Sequence, residues 1–275
     1  MKESADRYAI IGHPVDHSLS PAIHMTFAKQ TGQALQYGRI DAAPGEFVTA
    51  LREFLASGGK GLNVTLPFKE EAYGLCHVLA SRAKRARAVN TLSVQADGTL
   101  AGDNTDGAGL VRDLRQNRRV TLKNKRILLL GAGGAARGVL PALLDEKPAR
   151  IYVANRTPGR ARKLAERQDS AHVQGGGYEG LGKTTFNLVL NATSASLTGA
   201  LPPLPRDCLE PGALCYDLFY ADRPTVFMLW AEREGAAQVC DGWGMLVEQA
   251  AESFYLWRGV RPDTAALIAT HHTTA

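Results

Sequence analysis

The 275-residue sequence contains no long apolar run, no signal peptide and only four cysteines. The absence of a run of about 20 apolar residues argues against a membrane span, and the polar N-terminal segment is unlike a secretory signal. The cysteines are scattered without metal-ligand spacing. We therefore expect buried, reduced thiols, no membrane association and a cytoplasmic location.

The chain also has no marked excess of charge of one sign. Charged residues make up 21% of it and hydrophobic residues 45%, and the net charge is +5. This mild positive charge attracts small anions such as phosphorylated cofactors and carboxylates. No nucleic-acid-binding motif accompanies the basic residues, so we expect no nucleic-acid partner. No carboxylate cluster completes a metal site around His13, His17 and His24, so we expect no metal and interpret these histidines as structural or rim residues.

Apolar patterns predict alternating strands and helices. Strands are predicted at residues 7–11, 36–40, 61–66, 126–130, 151–154, 186–190 and 214–216. Helices are predicted at residues 21–31, 47–55, 106–116 and from 244 onward, with a hairpin around Asp97-Gly98. This alternation indicates an α/β protein with mostly parallel sheets, in which a new unit begins at Asp106. The glycines of residues 174–177 predict a flexible loop.

A glycine-rich turn lies between the predicted strand at 126–130 and a helix that runs to Leu144. It consists of Gly131, Ala132, Gly133, Gly134 and Ala135. Glycines at such a turn allow close approach of the backbone, and the free N–H groups of the helix N-terminus bind a pyrophosphate. The turn therefore predicts a Rossmann-type dinucleotide-binding domain.

The next strand ends without the acid that usually binds the ribose hydroxyls of NAD. It is followed instead by Asn155, Arg156 and Thr157, with Arg160 shortly afterwards. Arg156 can lie against the adenine and bind a 2′-phosphate, and Arg160 adds a second positive charge. These residues favour NADP as the cofactor.

Two polar segments precede the glycine turn, at residues 63–69 and 102–107. Lys69 follows a Pro-Phe pair that is expected to end a strand and begin a helix, which suits a lysine at the mouth of a crevice. The alternative is an ordinary surface lysine beside Glu70 and Glu71. The residues alone leave both interpretations open.

Nine motifs between about residues 7 and 262 resemble, in the same order, those of the shikimate dehydrogenase family. They are Ser18-Leu-Ser20-Pro21, Asn63-Val-Thr-Leu-Pro-Phe-Lys69, Ala88-Val-Asn90-Thr91, Asp103-Asn-Thr-Asp106-Gly107, Gly131-Ala-Gly-Gly-Ala135, Asn155-Arg-Thr157, Asn191-Ala-Thr-Ser194, Tyr216-Asp-Leu-Phe-Tyr220 and Asp241-Gly-Trp-Gly-Met-Leu-Val. The resemblance covers nearly the whole chain.

The resemblance implies an NADPH-dependent, reversible reduction of 3-dehydroshikimate to shikimate in aromatic amino-acid biosynthesis. It implies two α/β domains with the active site in the cleft between them. Residues 1–105, completed by C-terminal helices at 243–275, would bind the substrate, and residues 106–242 would form the NADP-binding Rossmann domain. We expect a monomer or homodimer.

The resemblance also implies roles for individual residues. Lys69 and Asp106 match the catalytic pair. The residues that match substrate contacts are Ser18, Ser20, Asn63, Thr65, Lys69, Asn90, Asp106, Tyr220 and Gln249. The residues that match cofactor contacts are Gly131, Ala132, Gly133, Gly134, Ala135, Asn155, Arg156, Thr157, Arg160, Thr193, Leu218 and Gly242.

Three positions depart from the family pattern. Arg87 replaces a common glycine, Ser81 replaces a residue that is often acidic, and residues 194–197 replace a glycine-containing run. Two rival functions remain: a quinate/shikimate enzyme that uses NAD, and a non-catalytic NADP-binding sensor. Arg156 argues against the first rival. The presence together of Lys69, Asp106, Asn90 and Gln249 argues against the second.

Overall fold

The computed structural model describes residues 5–270, which divide into two α/β units. The first unit comprises the described residues through Leu110 together with Leu246–Leu267. The second comprises Val111–Met245 and the described residues from Ile268 onward. Each unit contains its own six-stranded sheet, which confirms the predicted α/β class.

Strands and helices alternate along most of the chain. The strands are β1 (Asp6–Gly12), β2 (Leu35–Asp41), β3 (Gly59–Val64), β4 (Val78–Leu79), β5 (Thr91–Val94), β6 (Leu100–Asp103), β7 (Arg126–Leu130), β8 (Arg150–Ala154), β9 (Val173–Gly176), β10 (Phe186–Asn191), β11 (Leu209–Asp217) and β12 (Gln238–Cys240). The α-helices are α1 (Ser20–Thr31), α2 (Phe47–Ala56), α3 (Lys69–Leu75), α4 (Ser81–Ala86), α5 (Asp106–Arg112), α6 (Gly134–Asp145), α7 (Pro158–Glu166), α8 (Val226–Arg233), α9 (Trp243–Arg258) and α10 (Ala265–Ile268). A π-helical turn (Asp113–Asn117) continues α5.

The first unit has a mixed sheet with the strand order β2-β1-β3-β5-β6-β4. Strand β1 pairs in parallel with β2 and β3, whereas β5 pairs antiparallel with β3 and β6. The hairpin expected around Asp97-Gly98 is therefore confirmed. Only β5 runs antiparallel to the other five strands, so the sheet is mostly parallel, as expected.

Local sequence explains where the first helix begins and ends. Pro21 occupies the first turn of α1, where its fixed φ suits a helix and its missing N–H is not needed. Gly32 ends the helix with a φ of 66°, a left-handed conformation that glycine adopts easily. The same conformation occurs at the end of α4, where Arg87 has a φ of 49°. Glycine is the sterically easier residue in this conformation, so Arg87 is strained here.

The second unit has a parallel sheet with the strand order β12-β11-β10-β7-β8-β9. If strands β7 to β12 are numbered 1 to 6, the order read from β9 to β12 is 3-2-1-4-5-6. This is the strand order of a Rossmann fold. All four residues after Arg126 in β7 are fully buried, as expected for a central parallel strand that is covered on both faces. The predicted Rossmann-type unit is confirmed.

The flexible loop predicted at residues 174–177 is wrong, because most of that segment belongs to strand β9. Strand β9 pairs in parallel with β8. A Cβ atom at Gly175 would collide with the backbone carbonyl of Ala161 in α7. These glycines therefore allow a helix to pack closely on the strand, and the composition alone does not distinguish that role from flexibility.

Candidate active site

Lys69 is the first residue of α3, five residues after Val64, the last residue of β3. Phe68, which precedes it, is buried and stacks on the ring of Phe47 with the centroids 4.8 Å apart. The carbonyl oxygen of Lys69 accepts a hydrogen bond of 2.8 Å from Val89 N. A buried aromatic ring and a backbone hydrogen bond thus fix the base of the lysine side chain.

The Lys69 side chain is paired with Asp106, the first residue of α5. Its Nζ donates to Asp106 Oδ2 over 2.5 Å, and the two side chains are only 13% and 5% exposed. The alternative of a solvated surface lysine therefore does not hold. Asp106 lies at a helix N-terminus, where the helix dipole favours a negative charge.

The other carboxylate oxygen of Asp106 is held by an amide. Asn90 Nδ2 donates to Asp106 Oδ1 over 2.8 Å, while Asn90 Oδ1 accepts from Thr105 N over 2.8 Å. The Thr105 bond fixes which end of the Asn90 amide faces the carboxylate. Asp106 therefore accepts from the lysine ammonium with one oxygen and from the asparagine amide with the other.

Gln249 joins this group from helix α9. Its Oε1 accepts from Asn90 Nδ2 over 3.2 Å, and its Nε2 donates to Leu246 O over 2.9 Å. A Cβ atom at Gly109 would lie 2.7 Å from the Cβ of Gln249, so only glycine lets α5 and α9 approach this closely. The first unit thus brings Gln249 beside Asn90, although they are 159 residues apart in sequence.

Asn63, at the end of β3, is buried behind this group. Its Oδ1 accepts from the Tyr37 hydroxyl over 2.6 Å, and its Nδ2 donates to Asn90 O over 3.2 Å. The ring of His24 stacks on Tyr37 with the centroids 4.3 Å apart. Burial lowers the pKa of His24 to about 3, so this imidazole is neutral at ordinary pH. The interpretation of His24 as a structural residue agrees with this packing.

Ser18, Ser20 and Thr65 follow the carboxyl ends of β1 and β3, which are neighbouring parallel strands. Ser20 N donates to Ser18 Oγ over 3.3 Å, and Thr65 N donates to Ile11 O over 2.9 Å. Arg39, near the end of β2, donates from Nη2 to Ser18 O over 2.7 Å. The hydroxyls therefore lie at the sheet edge where ligands bind in such folds, with a guanidinium against the serine backbone.

Sequence reasoning missed several side chains that hold these residues. They are Tyr37, Arg39, Thr91, Thr105 and Ser253. Thr91 and Thr105 lie inside two of the family motifs, so their proximity to Asn90 and Asp106 was a usable signal. The other three contact site residues that are distant in sequence and have no local pattern.

The glycine turn follows β7 in the second unit. Gly131 has a φ of 103°, and a Cβ atom there would lie 2.8 Å from Ala192 O. A Cβ atom at Gly133 would meet no atom of the described chain within 4 Å. Helix α6 begins at Gly134, so its N-terminal N–H groups lie next to this open space. The turn fits the pyrophosphate of a dinucleotide.

The end of β8 fits a phosphorylated ribose. Asn155 N donates to Gly176 O over 3.0 Å, and Asn155 Nδ2 donates to Thr157 O over 3.0 Å. These bonds order the turn that carries Arg156 into α7. The side chains of Arg156 and Arg160 are exposed, which leaves two guanidinium groups where an NAD-binding chain would have an acid.

The remaining candidate cofactor residues follow the carboxyl ends of β10, β11 and β12. Thr193 Oγ1 donates to Asn191 Oδ1 over 2.7 Å, and Leu218 N donates to Asn191 O over 2.9 Å. A Cβ atom at Gly242 would collide with the carbonyl of Leu218. The second unit therefore brings Thr193, Leu218 and Gly242 to one edge of its sheet.

A buried carboxylate organises the segment that departs from the family pattern at residues 194–197. Ser196 Oγ donates to Asp217 Oδ2 over 2.5 Å, and Thr225 Oγ1 donates to the same oxygen over 2.7 Å. Asp217 is fully buried, and desolvation raises the pKa of its carboxyl. Ser196 thus supplies a contact that a glycine at this position lacks.

Tyr220 lies in the second unit, after β11. Its ring centroid is 6.4 Å from that of Trp243 and 6.1 Å from that of Phe219. Ser81, the other departure from the family pattern, is exposed at the start of α4 in the first unit.

Within residues 5–270, no group of three or more histidine, cysteine or acidic side chains is placed to hold a metal ion. Over the same residues, no helix has the length and apolar character needed to cross a membrane. The four cysteines are free thiols, and burial raises the pKa of Cys76 to about 11.

A Rossmann unit with a glycine turn, together with a second α/β unit that holds a buried lysine–aspartate pair, defines a dinucleotide-dependent dehydrogenase. Comparison with family models gives the same class. Residues 10–92 match the shikimate dehydrogenase substrate binding domain. Residues 113–198 match the shikimate/quinate 5-dehydrogenase family, and residues 242–270 match the shikimate 5′-dehydrogenase C-terminal domain.

Relatives of known name resemble the chain over almost its full length. The shikimate dehydrogenase (NADP(+)) of Alkalilimnicola ehrlichii is 56% identical, over 96% of this chain and 97% of the relative. The enzyme of the same name from Methylococcus capsulatus is 54% identical, over 96% and 95%. The chain belongs to the shikimate dehydrogenase family.

Solved structures share the fold. An Ael1 enzyme from Pseudomonas putida has a TM-score of 0.91 and 45% identity, over 98% of this chain and 99% of that one. The shikimate 5-dehydrogenase from Thermus thermophilus, solved in complex with NADP(H) and shikimate, has a TM-score of 0.85 and 34% identity, over 97% and 98%.

Proposed function

We propose that this protein catalyses the NADPH-dependent, reversible reduction of 3-dehydroshikimate to shikimate. The observation that carries the proposal is the buried Lys69–Asp106 pair, with a separation of 2.5 Å, joined to Asn90 and Gln249 by hydrogen bonds. A cation, a carboxylate and two amides are the groups that a small molecule with several hydroxyls and a carbonyl requires. The family relatives, which are named as NADP-dependent shikimate dehydrogenases, support it.

The reaction adds a hydride to the carbonyl carbon and a proton to the carbonyl oxygen. When bound, NADPH supplies the hydride. Lys69 donates a hydrogen bond to the carbonyl oxygen, stabilises the negative charge that develops there and delivers the proton. Asp106 orients the Lys69 side chain, and accepts a hydrogen bond from the hydroxyl next to the reacting carbon.

The substrate ring is held by uncharged groups around this pair. We assign Asn63, Asn90 and Gln249 to the ring hydroxyls, since amides both donate and accept hydrogen bonds. We assign Ser18, Ser20 and Thr65 to the substrate carboxylate and the adjacent hydroxyl. Such groups fix the orientation of a small polar molecule in a site of this kind.

NADP is assigned to the second unit. The pyrophosphate lies on the turn of residues 131–135, and Arg156 and Arg160 bind the 2′-phosphate, with Asn155 and Thr157 as smaller donors. Thr193, Leu218 and Gly242 line the nicotinamide end. Residues 106–242 are proposed as the NADP-binding domain. Residues 1–105 and 243–275 are proposed as the substrate-binding domain, of which residues 1–4 and 271–275 lie outside the described part of the chain.

We also propose that the protein acts in the cytoplasm, as a monomer or homodimer, without a nucleic-acid partner. Light scattering after size-exclusion chromatography measures the oligomeric state directly. A stable trimer or larger assembly would contradict this proposal.

One set of assays separates the proposed enzyme from its two rivals. The purified protein is tested with shikimate or quinate and with NADP or NAD, and formation of the reduced cofactor is followed. We expect fastest turnover with shikimate and NADP. Faster turnover with NAD would indicate the quinate/shikimate type. Tight binding of NADP without turnover of either acid would indicate a sensor.

A further inference from the structure

Ser253 is a buried hydroxyl on α9, one helical turn after Gln249. Its side chain is fully buried within the first unit. Its Oγ lies 3.1 Å from Gln249 O, within reach of the backward bond that serine often makes inside a helix, although its one proton can instead go to a nearer acceptor. Nothing in the family motifs assigns a role to this residue.

The same oxygen lies within hydrogen-bonding distance of three side chains from three other segments. It is 3.0 Å from Asn63 Nδ2, 2.8 Å from Thr91 Oγ1 and 3.2 Å from Thr105 Oγ1. A hydroxyl has one proton and two lone pairs. With its proton on Thr91 Oγ1, the shortest of these contacts, the Ser253 oxygen accepts from the Asn63 amide and can accept from Thr105 Oγ1, which uses its full capacity.

Thr91 links Ser253 to the candidate site, because its hydroxyl contacts both Ser253 and Asn90. Its hydroxyl donates to Asn90 Oδ1 over 2.8 Å. Donors on that oxygen determine that the other end of the amide, Nδ2, faces Asp106. Removal of the Ser253 oxygen leaves the buried Asn63 Nδ2 with one partner fewer and frees Thr91 to rotate away from Asn90.

We propose that Ser253 is a positioning residue for the substrate, because it holds Asn63 directly and Asn90 through Thr91. The proposal rests on the proposed function, in which these two amides bind the ring hydroxyls. It predicts that the Ser253 hydroxyl affects substrate affinity and turnover without touching either substrate or cofactor.

The test compares Ser253→Ala with a control, Thr264→Val. Thr264 is also buried in the first unit, but its hydroxyl donates to Glu248 Oε1, outside the group around Asn90. For each variant, kcat and KM for shikimate, the Kd of NADP and the melting temperature are measured. We expect Ser253→Ala to lower kcat/KM by about 3- to 10-fold, as for a lost hydrogen bond, with an unchanged Kd of NADP. Thr264→Val should lower the melting temperature and leave kcat/KM unchanged.

A double-mutant cycle with Thr91→Val tests the relay itself. Since both hydroxyls act on Asn90 along one path, their losses in kcat/KM should be less than additive. A folded Ser253→Ala with wild-type kcat/KM, or an equal loss in Thr264→Val, would overturn the proposal. If Ser253→Ala does not fold, Thr91→Val replaces it, and wild-type kcat/KM in that variant overturns the proposal equally. Lack of wild-type turnover with shikimate would instead refute the proposed function, and this inference with it.

Discussion

Asp106 binds Lys69 with one carboxylate oxygen and Asn90 with the other, at 2.5 and 2.8 Å. Because the Asp106 side chain is 5% exposed, little water competes for either oxygen. The carboxylate therefore fixes the separation between the lysine ammonium and the asparagine amide. A carbonyl oxygen and a neighbouring hydroxyl of one small substrate fit two donors that are held in this way.

Arg156→Ala is expected to weaken NADP binding selectively. A charge-assisted hydrogen bond contributes about 1.5–3 kcal/mol, so the Kd of NADP should rise by roughly 10- to 150-fold. The Kd of NAD, which has no 2′-phosphate, should change much less. Isothermal titration with both cofactors measures the two effects.

Arg162→Ala is a matched control, because it removes another exposed arginine from the helix that follows Arg156. Residue 162 lies about 200° around the helix axis from Arg160, so its side chain points away from the proposed phosphate site. It should leave the Kd of NADP nearly unchanged. Equal losses of NADP and NAD affinity in Arg156→Ala would mean that this arginine only stacks on the adenine and that another residue binds the phosphate.

Gln249→Ala is expected to raise the KM for shikimate and to reduce kcat/KM by an amount equivalent to about 1–3 kcal/mol. The side chain accepts from Asn90 Nδ2 and is buried in the same group as the proposed ring-hydroxyl contacts. The Kd of NADP should not change. A variant with a lower melting temperature and a normal KM would show that Gln249 is a core amide.

The neutral, buried His24 is expected to make stability depend on pH. The unfolded chain binds a proton at this residue below about 6.5, whereas the folded protein, with a pKa of about 3, does not. The unfolded state thus binds more protons between these values, and the free energy of unfolding falls as the pH is lowered. The slope is at most about 1.4 kcal/mol per pH unit.

Urea unfolding of the wild type and of His24→Phe between pH 6.5 and 5 measures this contribution. Phenylalanine suits the aromatic neighbours Phe27, Tyr37 and Phe254 and carries no proton. The variant should have a flatter pH dependence over this range. Parallel curves for the two proteins would contradict a neutral His24.

Arg87→Gly is expected to stabilise the protein. Arg87 has a φ of 49°, a conformation that costs a residue with a Cβ about 1–2 kcal/mol. Glycine removes this strain but adds flexibility to the unfolded chain, so the net gain should be about 0.5–1 kcal/mol. Lys84→Gly, in the exposed interior of α4, should instead lose about 1 kcal/mol. A loss of stability in Arg87→Gly would show that the guanidinium makes a compensating contact.

Local patterns were sufficient to predict much of the fold. Apolar strands, Pro21 and the glycine turn are recognisable within a few residues, and each lies where it was expected. The β9 strand was mistaken for a loop, because three glycines do not reveal that a helix packs against them. The two-residue strand β4 is too short to produce a periodic signal.

The site was only partly predictable. Lys69, Asp106 and Asn90 lie in recognisable motifs, so their selection needed no structure. Ser253 lies 190 residues from Asn63, and its contact depends on how α9 packs in the first unit. Such long-range contacts leave no period or spacing in the sequence, which is why the residues that support the site were missed.

The most direct test of the central claim is the kcat of Lys69→Ala for shikimate oxidation by NADP. Loss of a general acid–base group should lower kcat by roughly 10²–10⁴-fold, with the Kd of NADP unchanged. Lys60→Ala, which removes an exposed lysine from β3 of the same unit, is the control and should retain wild-type kcat. A folded Lys69→Ala protein with near wild-type kcat would contradict the assignment of the Lys69–Asp106 pair as the catalytic centre.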